Sequence, residues 1–127
     1  MSEPETGRFC WNELITPDTA SAKQFYSELF GWETVDMDMG DMVYTMFNIP
    51  GIEGPEAMAA GMIQSPMPEI PPHWLSYVMV DDVAATLAKA ESLGAKVCKG
   101  VTELPMGTLA IFTDPQGAVF AIWKKKD

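Results

Sequence analysis

Residues 9–15, FCWNELI, alternate as an extended strand does, with Trp11, Glu13 and Ile15 on one side and Cys10, Asn12 and Leu14 on the other. The period then changes. Ala22, Phe25, Tyr26, Leu29 and Phe30 recur at the three- and four-residue spacing of a single helix face. Thr16 or Asp18 is placed to cap that helix, Pro17 suits its first turn, and Gly31 ends it. Strands are predicted over 32–37, 42–49 and 58–64, with a turn at 38–41 and a loop over 50–56.

The proline-dense stretch SPMPEIPP, 65–72, reads as an extended linker. The same order of elements then returns. A strand over 73–80 leads to a helix capped by Asp81 or Asp82, with Val83, Leu87 and Ala90 on one side and Gly94 at its end. Strands follow over 96–101 and 107–113. Asp114-Pro115-Gln116-Gly117 has the composition of a type I turn, and a last strand over 118–123 leads into the charges of KKKD. A shift of 63 positions takes Asp18 to Asp81, Gly31 to Gly94 and Trp11 to Trp74. The pattern therefore predicts one α+β domain made of two tandem βαβββ modules, 9–64 and 73–124. Their sheets would form an open, curved, barrel-like surface with the helices outside.

Composition narrows the partners. A net charge of −10 argues against nucleic acid and anionic membranes, both of which call for a basic surface, and favours cationic ligands. Cys10 and Cys98 are too few for a disulfide framework and read as free thiols. The N-terminus has no apolar leader segment and no run is long enough to span a membrane, so a cytoplasmic location is expected. Ten methionines suit a core or pocket of adaptable shape.

Three stretches carry a family resemblance: P-D-x(6)-F-Y-x(3)-F-G-W at 17–32, V-D-D-V-x(10)-G-A-K-V at 80–97, and D-P-Q-G-x(3)-A-I-W at 114–123. Together they resemble the vicinal oxygen chelate superfamily, which includes glyoxalase I, bleomycin-resistance proteins and extradiol dioxygenases. The resemblance implies the paired βαβββ fold and, commonly, a homodimer. It also implies metal ligands of the His, Gln or Glu type on the first and last strands of each module. Here those positions fall on Trp11, on 60–62, on Trp74 or Leu75, and on Ala121. Trp74 follows from the internal repeat and Leu75 from the family spacing. An indole N–H only donates, and none of the others is a ligand, so no metal or other cofactor is expected.

What stands there instead is aromatic and small. Trp11, Tyr44, Met46, Met62, Trp74, Ser76 and Trp123 are the expected ligand-binding residues of an apolar cleft, with Glu13 as its one carboxylate and candidate acid or base. His73 reads as an ordinary solvent-facing histidine. The sequence leans toward sequestration of an aromatic or cationic organic molecule without chemistry, as the resemblance to bleomycin-resistance proteins implies. The alternative is a glyoxalase-like lyase or isomerase, or a dioxygenase-related enzyme, using Glu13 or a displaced metal.

Overall fold

The computed structural model describes residues 6–67 and 69–126. The chain runs β1 (Phe9–Thr16), α1 (Thr19–Phe30), β2 (Glu33–Asp38), β3 (Val43–Asn48), a 3-10 turn (Pro55–Ala57), β4 (Met58–Gln64), β5 (His73–Met79), α2 (Val83–Ser92), β6 (Lys96–Leu104), β7 (Gly107–Thr113) and β8 (Val119–Lys125). This is an α+β chain of two βαβββ runs, as the periodicity predicts. Asp18 caps α1 by accepting from the Ser21 N–H at 3.0 Å. Gly31 closes the helix with φ of 75°, a left-handed conformation that glycine adopts without steric cost. In the second helix the cap is Asp82, which accepts from Ala85 N–H at 2.9 Å, while Asp81 accepts from the Thr6 hydroxyl at 2.7 Å.

Two compact units are present. One lies within 12–74; the other combines residues 6–11 with 75–126. In the first, β1 pairs parallel with β4, and β4 and β2 pair antiparallel with β3 on either side. Leu14, Phe47, Ala60 and Met62 form its core, with Ala22, Tyr26 and Trp32 packed over them. Burying Leu14, Phe47 and Met62 stabilises the unit by about 1.5–3 kcal/mol each. All of these core residues therefore lie on the sheet face that α1 covers, and their strand neighbours point to the opposite, helix-free face.

The helix stripe is only partly used. Ala22 and Tyr26 reach the core, but Phe25, Leu29 and Phe30 stay 59%, 57% and 57% exposed. Periodicity identifies an apolar face without saying what covers it.

In the second unit β5 pairs parallel with β8, followed by β7 and β6 in antiparallel order. Val80, Val83, Leu87, Ala110 and Ile122 make its core, with Phe112 and Phe120 alongside. The N-terminal segment is stitched to this unit. Met79 N–H donates to the Arg8 carbonyl at 2.9 Å, and Gly7 N–H donates to the Met79 carbonyl at 2.8 Å. β6 runs to Leu104 and β8 to Lys125, both beyond their expected ends, because antiparallel pairing with β7 continues through Leu104↔Gly107 and Gly107↔Lys125.

Candidate functional site

On the helix-free face of residues 12–74, three strands bring the predicted residues together. Glu13 on β1 sits directly opposite Gly61 on β4, and Met46 on β3 sits opposite Gly61 from the other side. Glu13 is 6% exposed. A Cβ at position 61 would collide with the hydroxyl and ring of Tyr44, so the Tyr44 ring leans diagonally across β4 and sets its hydroxyl above the Gly61 backbone. Only glycine leaves that space, which gives a physical reason for the residue.

Asn48 continues the same alternation past Tyr44 and Met46. Its Oδ1 is buried and has no hydrogen-bond partner among the described residues. A bulge between Phe47 and Asn48 leaves Ala59 as the extra residue of β4, since Phe47 pairs with Ala60 and Asn48 with Met58.

The second unit repeats the device. Ile122 and Ala110 are in the core under α2, so Ala121 and Trp123 point to the helix-free face, with Leu109 and Ile111 opposite them on β7. The Trp123 ring lies where a side chain at Gly107 would go. Val78 pairs with Ile122 and Tyr77 with Ala121, which puts Tyr77 and Leu75 on the same face as Ala121. Trp11, half-buried, shares its strand side with Glu13.

Three expected cleft residues lie on the other side. Met62 is fully buried in the core beneath α1, because β4 turns Ala60 and Met62 toward the helix and Gly61 away from it. Trp74 packs edge-on to Tyr26 of α1 with ring centroids 5.4 Å apart, and its indole N–H donates to the Tyr26 hydroxyl at 3.2 Å. Ser76 falls between Trp74 and Val78 on that same helix-side register. The family spacing, which points to Leu75, is thus the one that the structure follows; the repeat shifted by 63 lands one residue short. His73 sits with its Nδ1 2.9 Å from the Pro71 carbonyl.

The chemistry of these positions does not fit a metal. The helix-free faces of the two units carry Trp11, Gly61, Leu75 and Ala121 where the family resemblance sets ligands, and Leu75 and Ala121 are 1% and 0% exposed. Among the described residues, no three of His, Cys, Asp and Glu come together closely enough to hold an ion. Off this face, burial pushes the Cys10 thiol up, and the Lys23 ammonium and Thr45 hydroxyl hold Asp36 below the usual carboxylate range. Sequence reasoning missed Asn48, whose only signal was a polar residue at the end of an alternating strand, and the aromatic-over-glycine pairs, which need strand register to be seen.

Residues 8–122 match the Glyoxalase/Bleomycin resistance protein/Dioxygenase superfamily. The provisionally named glyoxylase CFP32 of Mycobacterium bovis is 36% identical over 121 residues, which are 94% of this chain and 45% of that protein. The anthracycline biosynthesis protein DnrV of Streptomyces peucetius is 34% identical over 139 residues, 98% of this chain and 50% of that protein. The chain thus spans about half the length of the curated relatives it matches. Among solved structures, the Mn(II)-bound glyoxalase from Novosphingobium aromaticivorans shares the fold with a TM-score of 0.61 at 21% identity, over 96% of this chain and 42% of that one. Methylmalonyl-CoA epimerase from Mycobacterium tuberculosis does so with a TM-score of 0.63 at 13% identity, over 100% of this chain and 93% of that one. Among the described residues, no helix is long and apolar enough to cross a membrane.

Proposed function

The chain belongs to the glyoxalase, bleomycin-resistance and dioxygenase superfamily, and on that premise we propose that it binds a small aromatic or cationic organic molecule without a metal, on the helix-free faces of its sheets. The observation that carries this reading is the donor set. Trp11, Gly61, Leu75 and Ala121 offer no lone pair for an ion, while Trp11, Tyr44, Met46 and Trp123 supply aromatic and polarisable contact area. A net charge of −10 draws cations toward such a surface. We propose further that the protein works as a cytoplasmic homodimer, supported by its free cysteines and by the exposed Phe25, Leu29 and Phe30 of α1.

A second reading is an enzyme of the glyoxalase type, with lyase or isomerase chemistry driven by Glu13 as acid or base. It is favoured by the burial of Glu13 on the helix-free face and by relatives named as a glyoxylase and a biosynthesis protein.

The deciding experiment is metal retention with ligand titration. Untagged protein is incubated with Ni²⁺, Zn²⁺, Mn²⁺ and Fe²⁺, desalted, and its metal counted. No retained ion, together with quenching of tryptophan emission by a flat aromatic amine, is the expected result. Stoichiometric metal would overturn the metal-free reading.

A further inference from the structure

The outer side of α1 carries a surface that the core of its unit does not use. Ser21, Gln24, Phe25, Glu28 and Leu29 line one open depression there. Phe25 and Leu29 are mostly exposed, yet the Phe25 ring is held in place, edge-on to Tyr26 with centroids 5.0 Å apart. A ring ordered before association loses little freedom on being covered. Phe30 lies off this surface, tilted against Trp32 at 4.8 Å. Lys23, the single lysine of α1, lies off it too, because its ammonium reaches Asp36 at 2.7 Å. The depression therefore combines two large apolar side chains with one charge, Glu28, and one amide, Gln24.

This surface is complementary to itself. Ser21, Phe25 and Leu29 are spaced by four and form one ridge of the helix, with Gln24 and Glu28 as a second ridge beside it. A second copy turned end for end about a two-fold axis near Phe25 sets ring against ring. It also sets the small Ser21 against the large Leu29, and the Gln24 amide, a donor, against the Glu28 carboxylate, an acceptor. A parallel pairing would instead bring the two Glu28 carboxylates close together, at a cost. We propose that two copies of the chain meet through this side of α1 as an antiparallel helix pair, with Phe25 at the centre and Gln24 bonded to Glu28 across the axis. This inference rests on the homodimer reading above and adds the surface and its register. A helix of 12 residues is about 18 Å long, so the pair buries less than about 1,200 Å² and the dimer is a weak one, with a dissociation constant of about 10–100 µM.

The test begins with sedimentation of the unaltered chain over a concentration series. A dimer forms reversibly and tightens as salt rises, because screening relieves the repulsion between two chains of charge −10. The register is then read by disulfide trapping in a Cys10→Ser, Cys98→Ser background. Gln24→Cys protein and Glu28→Cys protein oxidised together give a cross-linked dimer, whereas either one oxidised alone gives at most about a tenth as much, because its thiols stand too far apart. Gln24→Glu in the otherwise unaltered chain faces carboxylate with carboxylate and weakens the dimer by about tenfold. A dimer that yields no mixed cross-link, or cross-links as well from one variant alone, would overturn this interface and leave the homodimer reading standing. A monomer at every concentration would overturn both. Gln24 is exposed and outside the core, so an unchanged dissociation constant for Gln24→Glu also overturns the interface, even if the cysteine-free background does not fold.

Discussion

Trp74 donates its indole N–H to the hydroxyl of Tyr26 at 3.2 Å, which ties the first residues of β5 to the outer helix and takes this tryptophan away from the helix-free face. Tyr26 is the hub of that aromatic group, with Phe30 and Trp32 stacked at 6.3 and 6.1 Å and Phe47 edge-on at 5.9 Å. Trp74→Phe removes one hydrogen bond from a ring that is 40% exposed and is expected to cost about 0.5–1.5 kcal/mol in urea unfolding. The same variant retains the full ligand-induced change in fluorescence. Loss of that change would place the ligand on the helix side.

Met62 and Met46 make a matched pair of tests. Met62 is fully buried beneath α1, so Met62→Ala opens a cavity and is expected to cost about 2–5 kcal/mol with little effect on ligand affinity. Met46 is half-buried on the opposite face, so Met46→Ala does the reverse, with a smaller stability loss and weaker binding. Denaturant midpoints and calorimetric titration of both variants check this crossed pattern.

Gly61→Ala forces the Tyr44 ring off β4, since its Cβ would occupy the space of the phenol. Overpacking of this kind costs about 1–3 kcal/mol. Adding Tyr44→Ala to Gly61→Ala is expected to recover part of the loss, and a double-mutant cycle measures the coupling. Simple additivity would mean that the ring does not rest on Gly61.

Asp36 predicts a pH dependence on the helix side. It accepts from the Lys23 ammonium and the Thr45 hydroxyl, each at 2.7 Å, which lowers its pKa. A carboxylate with a lowered folded-state pKa contributes stability that is present above its unfolded value and lost as pH falls through the folded one. The group is exposed, so the increment is a few tenths to about 1 kcal/mol. Asp36→Asn therefore flattens the stability profile between about pH 5 and pH 2 and leaves the slope above pH 6 unchanged. Urea midpoints across that range read the effect, and a parallel profile for variant and parent would count against it.

Phe25, Leu29 and Phe30 give a test of the proposed homodimer. Replacing Phe25 and Leu29 by serine leaves the core of the unit intact, because neither residue belongs to it. Light scattering is expected to show a dimer for the parent and a monomer for the variant. A variant that remains dimeric would move the interface elsewhere.

Much of this was legible in the chain. The change from period two to period 3.6 located both helices and every strand, because alternation and helical spacing follow directly from backbone geometry. Faces were harder. Asp81 and Asp82 are both capping residues, and choosing Asp81 makes the repeat 63 residues long and sets Trp74 opposite Trp11. The structure caps α2 with Asp82, the repeat of the strand-to-helix register becomes one residue longer, and Leu75 takes that place. In a strand a slip of one residue moves every side chain to the other face, so one ambiguous cap carried Trp74 and Ser76 to the wrong side. Met62 failed for a related reason, since nothing local reveals which side of MAAGMIQ meets the helix. Asn48 was missed because an orphaned acceptor is a property of three-dimensional surroundings.

The unit that contains Met79 is assembled from two separated pieces of chain, with residues 12–74 inserted between them. Gly7 and Arg8 must wait for Met79 before their backbone groups find partners. On the ribosome the inserted piece emerges complete and can fold on its own local contacts, whereas its host cannot close until β8 has followed. The nascent chain thus has a built-in order of assembly, inner piece first, and a stop before Met79 leaves Gly7 and Arg8 without the backbone groups they join.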